Sequence, residues 1–402
     1  MNNSQVTVPF VNLNLCHQPI EGELAQAMQQ VLQRGDFVLG QAVRDFEADF
    51  AAACGVKYGV GVGCGTDAIA IALQACGIQA GDEVILPANT FIATLMGVVK
   101  AKAVPVLVDC DPETALIDLE AANQAVTGRT RAIIPVHLYG QMVSPQQLLD
   151  FATTYNLLIV EDAAQAHLAR REGYTAGSVG MAAAFSFYPS KNLGGFGDGG
   201  AIVTNDAAIA QKAKTLRNYG APQKYLHTEV GTNSRLDSLQ AAVLNTKLRH
   251  LPAWNETRNT AAKQYDTFLQ PLQDFGIIPL HNQSHTGHAY HLYVIRVTPD
   301  SPCDRDTLQQ TLADSGIQTG IHYPIPCHLQ PAYRYLGYQE GDFPHAEMLS
   351  AQVLSLPMYP GLQKEQIQQV VRAIEAAILP KISPSHSYSQ VWQTTPSTLR
   401  RS

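Results

Sequence analysis

Apolar residues fall into two alternating registers along the first two-thirds of the chain. Short runs rich in Val, Ile, Leu and Ala occupy residues 58–62, 83–88, 104–109, 131–138, 157–162, 183–187 and 201–204. Between most of them lie longer stretches with helical spacing of apolar positions, such as 66–76, 91–100 and 145–155. Runs that are apolar on both faces predict strands covered from both sides, and helix-length spacers predict βαβ units. The expected fold class is therefore α/β with a largely parallel sheet. The last three runs lie closer together than the others, so one antiparallel strand is expected at the sheet edge. Helices are expected at 206–218 and at 235–250, the second stopping at Pro252.

Past Pro252 the pattern changes. A helix at 255–269, an alternating run at 290–297, a helix at 304–315 and an amphipathic helix at 364–379 predict a smaller α+β domain. It also contains a segment, 320–331, rich in His, Tyr and Pro. The expected organisation is a large domain over 1–250, whose N-terminal segment is free to pack on the second, and a small domain over 251–380. The Ser/Thr-rich stretch 381–402 has little periodicity and is expected to be a disordered tail.

Composition narrows the class. Of 402 residues, 46% are hydrophobic and only 15% charged, which excludes a disordered chain or a coiled coil. With 27 Lys+Arg against 34 Asp+Glu, a nucleic-acid or anionic-membrane surface is not expected. Seven cysteines (Cys16, Cys54, Cys64, Cys76, Cys110, Cys303 and Cys327) contain no C-x-x-C pair. They predict reduced, mostly buried thiols rather than a disulfide framework or zinc ribbon. No basic segment followed by an apolar core opens the chain, and no apolar run reaches about 18 residues, so a soluble cytoplasmic protein is expected.

Three places can carry chemistry. Gly61-Val-Gly-Cys-Gly-Thr-Asp67 is a glycine turn between a strand and an apolar helix, where backbone N–H groups and the helix dipole suit a phosphate. The same turn also serves as plain scaffolding with Thr66 as N-cap. It matches neither the dinucleotide fingerprint nor the P-loop. Glu161 and Asp162 end an apolar strand, at the side of an open sheet where ligands bind, though either could instead cap the following helix. Lys191 follows Phe185-Ser-Phe-Tyr-Pro-Ser and enters a loop with five glycines. Apolar surroundings can lower a lysine's pKa and make it nucleophilic; a surface lysine in a mobile loop is the alternative. A phosphate turn, a strand-end carboxylate and a lysine 29 positions later are together the parts of a pyridoxal phosphate site.

Those stretches resemble the DegT-type (DegT/DnrJ/StrS) sugar aminotransferases, pyridoxal-phosphate enzymes of the aspartate aminotransferase fold type I. The matching segments include FVLGQAVRDFEADFA, GCGTDAIAIAL, LPANTFIAT, HLYGQ, VEDAAQAH, FSFYPSKNLGGFGDGGAIVTND, GTNSRLDSLQAAVL, HYPIPCHLQPAY and SLPMYPGL, in family order from about residue 8 to 380. The resemblance implies a seven-stranded, mostly parallel sheet and a homodimer with shared active sites. It implies that Lys191 bonds to the cofactor and relays protons, that Asp162 pairs with the pyridine nitrogen, and that Gln165 bonds the ring hydroxyl. Gly65, Thr66 and Ser186 would hold the phosphate, Phe91 would stack on the ring, and Asn233 would reach the neighbouring subunit's phosphate. His167, His322, Tyr323 and His328 match segments near the substrate opening. His167 is followed by Leu168-Ala-Arg-Arg instead of the family's usual Gly-Ala, which weakens any inference about substrate contacts there.

The implied reaction moves an amino group from an amino acid, L-glutamate, to a nucleotide-linked keto-sugar in deoxyamino-sugar biosynthesis. The wording of FYPSKNLG and GTNSRLDSLQAA leans toward C3 of a dTDP-linked 3-keto-6-deoxyhexose; C4 amination is the alternative. Relatives with histidine in place of the lysine become dehydratases, so Lys191 favours transamination. His281, His285, His288 and His291 are closely spaced, but they overlap an expected strand and no second cluster adds ligands, so no metal is expected. Two rivals stand. A nicotinamide oxidoreductase needs an acidic residue at a strand end about 20 positions after the glycine turn, and Asp82 and Glu83 instead precede their strand. A non-catalytic regulator could retain every cofactor residue.

Overall fold

The computed structural model describes residues 7–378. Its strands in chain order are β1 (Tyr58–Val62), β2 (Glu83–Pro87), β3 (Val104–Val108), β4 (Thr130–Ile133), β5 (Leu158–Asp162), β6 (Arg170–Arg171), β7 (Tyr174–Thr175), β8 (Ala182–Ser186), β9 (Gly200–Thr204), β10 (Ile277–Pro279), β11 (Tyr293–Val297) and β12 (Val353–Leu356). β6 and β7 form a small hairpin. Seven strands make the main sheet in the order β1-β9-β8-β5-β4-β2-β3, as an α/β protein of this pattern requires. Its strands are nearly all buried, because helices such as Gly65–Ala75 and Ile92–Lys100 cover its faces.

The antiparallel strand is not at the edge. β9 runs antiparallel to both β8 and β1 and lies between them, so the edge strands are β1 and β3. The 187–199 link contains no helix to carry the chain back to the far end of the sheet, so β9 returns directly beside β8. Gly200 therefore pairs with Ser186 on one side and Val62 on the other. A Cβ at Gly200 would stand 2.5 Å from the carbonyl carbon of Cys64. Three chain segments meet at one point on the rim of the sheet.

Pro252 does not stop a helix; it sits in the first turn of one, Leu251–Leu269. A first-turn residue needs no N–H for the helix ladder, so proline is tolerated there. This helix and Lys364–Ile378 cover the antiparallel sheet β10-β11-β12, with Tyr265, Ile295, Leu354, Val370 and Ile374 in one apolar cluster. At the other end of the chain, Val8 forms a bridge to Ile317, and the Thr7 N–H donates to the Gly316 carbonyl at 2.9 Å. Helices Glu21–Arg34 and Gln41–Ala53 pack on Ser238–Leu248. Two expected strands are shorter than their apolar runs. β4 ends at Ile133, and β11 begins only at Tyr293, because residues 289–292 turn aside to bond the Tyr139–Gly140 backbone.

Five of the seven cysteines are buried, Cys64 and Cys76 partly so. Among the described residues no helix is long and apolar enough to cross a membrane. The 381–402 tail lies outside the described residues.

Candidate active site

A cavity of about 470 Å³ opens at the carboxyl ends of β5 and β8, a size typical of small-molecule sites. Gly65, Thr66, Phe91, Asp162, Gln165, Ser186 and Lys191 all line it, together with His322 and Tyr323. Asn233 does not; it is exposed on a loop bridged to Asn218. His167 and His328 also lie outside the wall. His167 is fully buried among the rings of Phe50, Phe185 and Phe187, and burial pushes its pKa down to about 3. His328 Nε2 sits 2.9 Å from Glu347 Oε1, and its ring meets Phe343 edge-on.

Each wall residue is placed by local rules. In the glycine turn, the Gly61 N–H donates to Glu47 at 2.8 Å and the Gly63 N–H to Ser234 at 2.9 Å. Those two amides are structural. Gly65 and Thr66 open the next helix, Gly65–Ala75, where first-turn N–H groups lack intrahelical carbonyl partners. Cys64, not Thr66, is the N-cap. A Cβ on Gly65 would stand 2.7 Å from the Ser186 Cβ, so only glycine leaves a gap between the helix start and β8.

Alternation along β5 settles which carboxylate faces the cavity. Glu161 points to the opposite face, where it accepts from the N–H groups of Gly177, Val179 and Gly180 at 2.8–2.9 Å. It also contacts His137 Nε2 at 2.9 Å; His137 Nδ1 accepts from the Val143 N–H, so Nε2 carries the proton. Asp162 faces the cavity and accepts from the Thr94 hydroxyl at 2.7 Å and the Ala164 N–H at 3.1 Å. Burial lifts its pKa above the usual carboxylate range despite these bonds and the nearby Lys191 charge.

Lys191 sits in a folded-back loop. Its N–H donates to the Tyr188 carbonyl at 2.8 Å, and the Gly195 N–H to the Phe187 carbonyl at 2.8 Å. A Cβ at Gly194 would be 2.2 Å from the Pro189 carbonyl oxygen, which explains a glycine there. Burial lowers the lysine's pKa to about 8, with the Asp162 charge opposing. Gln165 accepts from the Tyr139 N–H at 2.6 Å and donates to the Tyr323 hydroxyl at 3.0 Å. The Phe91 and Tyr323 rings lie 5.3 Å apart at one side of the opening. Glu83, the acidic residue a nicotinamide site would need, starts β2 and is tied to Arg129 and Thr127.

Residues that sequence reasoning missed also line the wall: Thr90, Tyr188 and His291. In the sequence, His291 stands out only through the spacing of neighbouring histidines, and nothing local marks Tyr188.

The decisive comparison is with protein families: the profile of the DegT/DnrJ/EryC1/StrS aminotransferases matches residues 18–375. The chain belongs to this family. Among its relatives is the dTDP-3-amino-3,4,6-trideoxy-alpha-D-glucose transaminase of Streptomyces venezuelae, 44% identical over 91% of this chain and 95% of that protein. The erythromycin biosynthesis sensory transduction protein EryC1 of Saccharopolyspora erythraea is 46% identical over 92% of this chain and 99% of that one. The crystal structure of S. venezuelae DesV superposes with a TM-score of 0.88 at 44% identity, covering 92% and 98% of the two chains. Bacillus subtilis NtdA, solved with bound cofactor PMP, superposes with a TM-score of 0.84 at 32% identity, covering 94% and 86%.

This DegT-family protein is thus a fold type I aminotransferase, and its cofactor is pyridoxal 5′-phosphate. The cavity fits that group. The gap that only Gly65 leaves beside Ser186 suits a phosphate, and Asp162 is a buried carboxylate hydrogen-bonded by neutral donors, in want of a cation.

Proposed function

We propose that this aminotransferase moves an amino group from L-glutamate to C3 of a nucleotide-linked keto-sugar, a dTDP-linked 3-keto-6-deoxyhexose, in deoxyamino-sugar biosynthesis. The observation that carries the reaction type is the placement of Lys191 and Asp162 in one cavity with the Gly65–Thr66–Ser186 gap. The substrate rests on relatives. Besides the S. venezuelae transaminase, a protein 39% identical is named UDP-N-acetyl-3-dehydro-alpha-D-glucosamine 3-aminotransferase, from Acidithiobacillus ferrooxidans. Both names specify amination at position 3.

In this reading the first helical turn at Gly65 and Thr66, with the Ser186 hydroxyl, holds the phosphate at the dipole's positive end. Asp162 would accept from the protonated ring nitrogen as its ionic partner, and Thr94 holds its carboxylate in place. Gln165 bonds the ring hydroxyl and Phe91 covers a ring face. When bound, the cofactor supplies an electron sink for a carbon that loses its proton. Lys191 Nζ would hold the cofactor covalently and, once free of it, would move the proton at the donor or sugar carbon. His322 and Tyr323 face the same space and suit the sugar. His167 and His328 act indirectly, as packing. The protein works as a homodimer in which Asn233 reaches the partner's phosphate. Exposed Phe91 and Tyr188, both on the cavity wall, support a covered surface there.

The test begins with the purified protein's visible absorption. L-glutamate should bleach the cofactor band, and a nucleotide-linked 3-keto sugar should restore it, with 4-keto sugars slower. A band that 4-keto sugars restore faster would move the assignment to C4. Lys191→Ala should abolish the borohydride-reducible band and cut turnover by at least about a thousandfold; unchanged turnover would overturn the site. The regulatory reading has one observation behind it. EryC1 and the pleiotropic regulatory protein of Geobacillus stearothermophilus, 43% identical, carry regulatory names. A regulator would bind the cofactor and never restore the band with any sugar.

A further inference from the structure

A chain of side-chain amides behind the lysine loop decides which nitrogen of His291 carries the proton. Asn192, next to Lys191, is buried, and its Nδ2 donates to the Ala289 carbonyl at 2.7 Å and to Asn255 Oδ1 at 2.9 Å. Asn255 Nδ2 in turn donates to the His167 carbonyl at 2.9 Å. The chain is pinned at both ends by main-chain carbonyls, which only accept. Flipping either amide would set oxygen against oxygen. Both N–H groups of Asn192 are thereby committed, and its Oδ1 is left as an acceptor 3.2 Å from His291 Nδ1. Two acceptors cannot bond without a proton between them, so Nδ1 holds it. A neutral imidazole then keeps a bare lone pair on Nε2. Burial, with the Lys191 and Arg258 charges nearby, holds the ring well below its usual pKa, so it is neutral.

We propose that His291 offers Nε2 to the cavity as a hydrogen-bond acceptor for a hydroxyl of the sugar substrate, and that Asn192 is the positioning residue that fixes this tautomer. The sugar-hydroxyl assignment rests on the aminotransferase reading above; the tautomer does not. His291 lines the same wall as Lys191, His322 and Tyr323. A lone pair there welcomes a sugar hydroxyl, which donates, and repels the carboxylates of an amino-acid donor, which only accept. Tyr323, whose oxygen already accepts from Gln165, keeps its own O–H to donate. The wall thus offers one donor and one acceptor to a polyol, and discrimination between the two substrates of one site becomes a matter of proton placement.

Histidine-selective ¹⁵N spectra of the holoenzyme test this, with the His291 signal assigned by its loss in His291→Asn. The expected result is a protonated Nδ1 and a bare Nε2; a proton on Nε2 overturns the proposal whatever the enzyme's substrate proves to be. Asn192→Ala should let the proton redistribute between the nitrogens. An unaltered tautomer in Asn192→Ala removes the positioning role. His291→Asn retains a donor toward Asn192 but loses the cavity acceptor. The keto-sugar half-reaction should then weaken about tenfold, the scale of one lost hydrogen bond, while the glutamate half-reaction changes less than about twofold. Equal losses in both halves, or none in the sugar half, overturn the hydroxyl assignment. If the wild-type protein reacts with neither substrate, the aminotransferase reading fails and the tautomer measurement alone still decides the role of Asn192.

Discussion

At the residue scale, the proposed chemistry turns on Lys191 being the less protonated lysine that burial makes it. With its pKa lowered to about 8, the free amine grows as pH rises toward that value and is dominant above it. Loading of the apoprotein with pyridoxal 5′-phosphate, followed by absorbance, should therefore speed up about tenfold per pH unit below 8 and level off above. A flat profile from pH 6 to 9 would show that the amine is not held in that state. Asp162 was legible in the sequence because a carboxylate closes an apolar strand, an expensive placement, and Lys191 because a lone lysine follows an apolar run into a glycine-rich loop. His291 was not. Its relevance comes from Asn192, 99 residues away, and no local pattern reports such a contact. His167 failed in the opposite way. Adjacent to informative residues in sequence, it points into the aromatic core, where its neighbours are Phe50, Phe185 and Phe187.

At the element scale, β5 shows how one strand serves two purposes on its two faces. Glu161 gathers three backbone N–H groups of the 177–180 turn, and Asp162 serves the cavity. Glu161→Gln has one acceptor oxygen for donors that now meet two, so buried N–H groups lose partners. It should cost about 3 kcal/mol in chemical denaturation, with the glutamate half-reaction kept in the folded fraction. Gly200→Ala tests the rim where β1, β8 and β9 converge. The new Cβ meets the Cys64 backbone, so the turn that opens the Gly65–Ala75 helix must shift. Stability should fall by about 1–3 kcal/mol, and cofactor affinity should fall with it, read by equilibrium dialysis. The pattern of apolar runs located all seven strands of the main sheet but misplaced the antiparallel one. Periodicity reports burial, and an interior antiparallel strand is as buried as a parallel one. Pro252 opens a helix instead of ending one, because proline marks a helix start as readily as an end.

At the scale of the whole molecule, a net charge of −7 sits beside a site for a phosphorylated cofactor and, as proposed, a phosphorylated sugar. Net charge excludes a broad basic surface, yet it says nothing about backbone amides and hydroxyls grouped at one helix start. If the proposed dimer shares its sites, mixing Lys191→Ala subunits with Asn233→Ala subunits should recover activity that neither homodimer has, since one of the two sites would then be intact. No recovery after co-refolding would confine each site to one chain. The antiparallel return of β9 has its own consequence for how the lysine is carried. Because Ser186 and Gly200 are paired, the 187–199 loop leaves and re-enters the sheet at the same rim, like a handle with both feet on one plate. A handle resists tilting in a way a one-footed arm does not. Cutting the chain there to make new termini would free one foot while leaving every strand pairing in place, and the molecule would stay folded with its lysine no longer aimed.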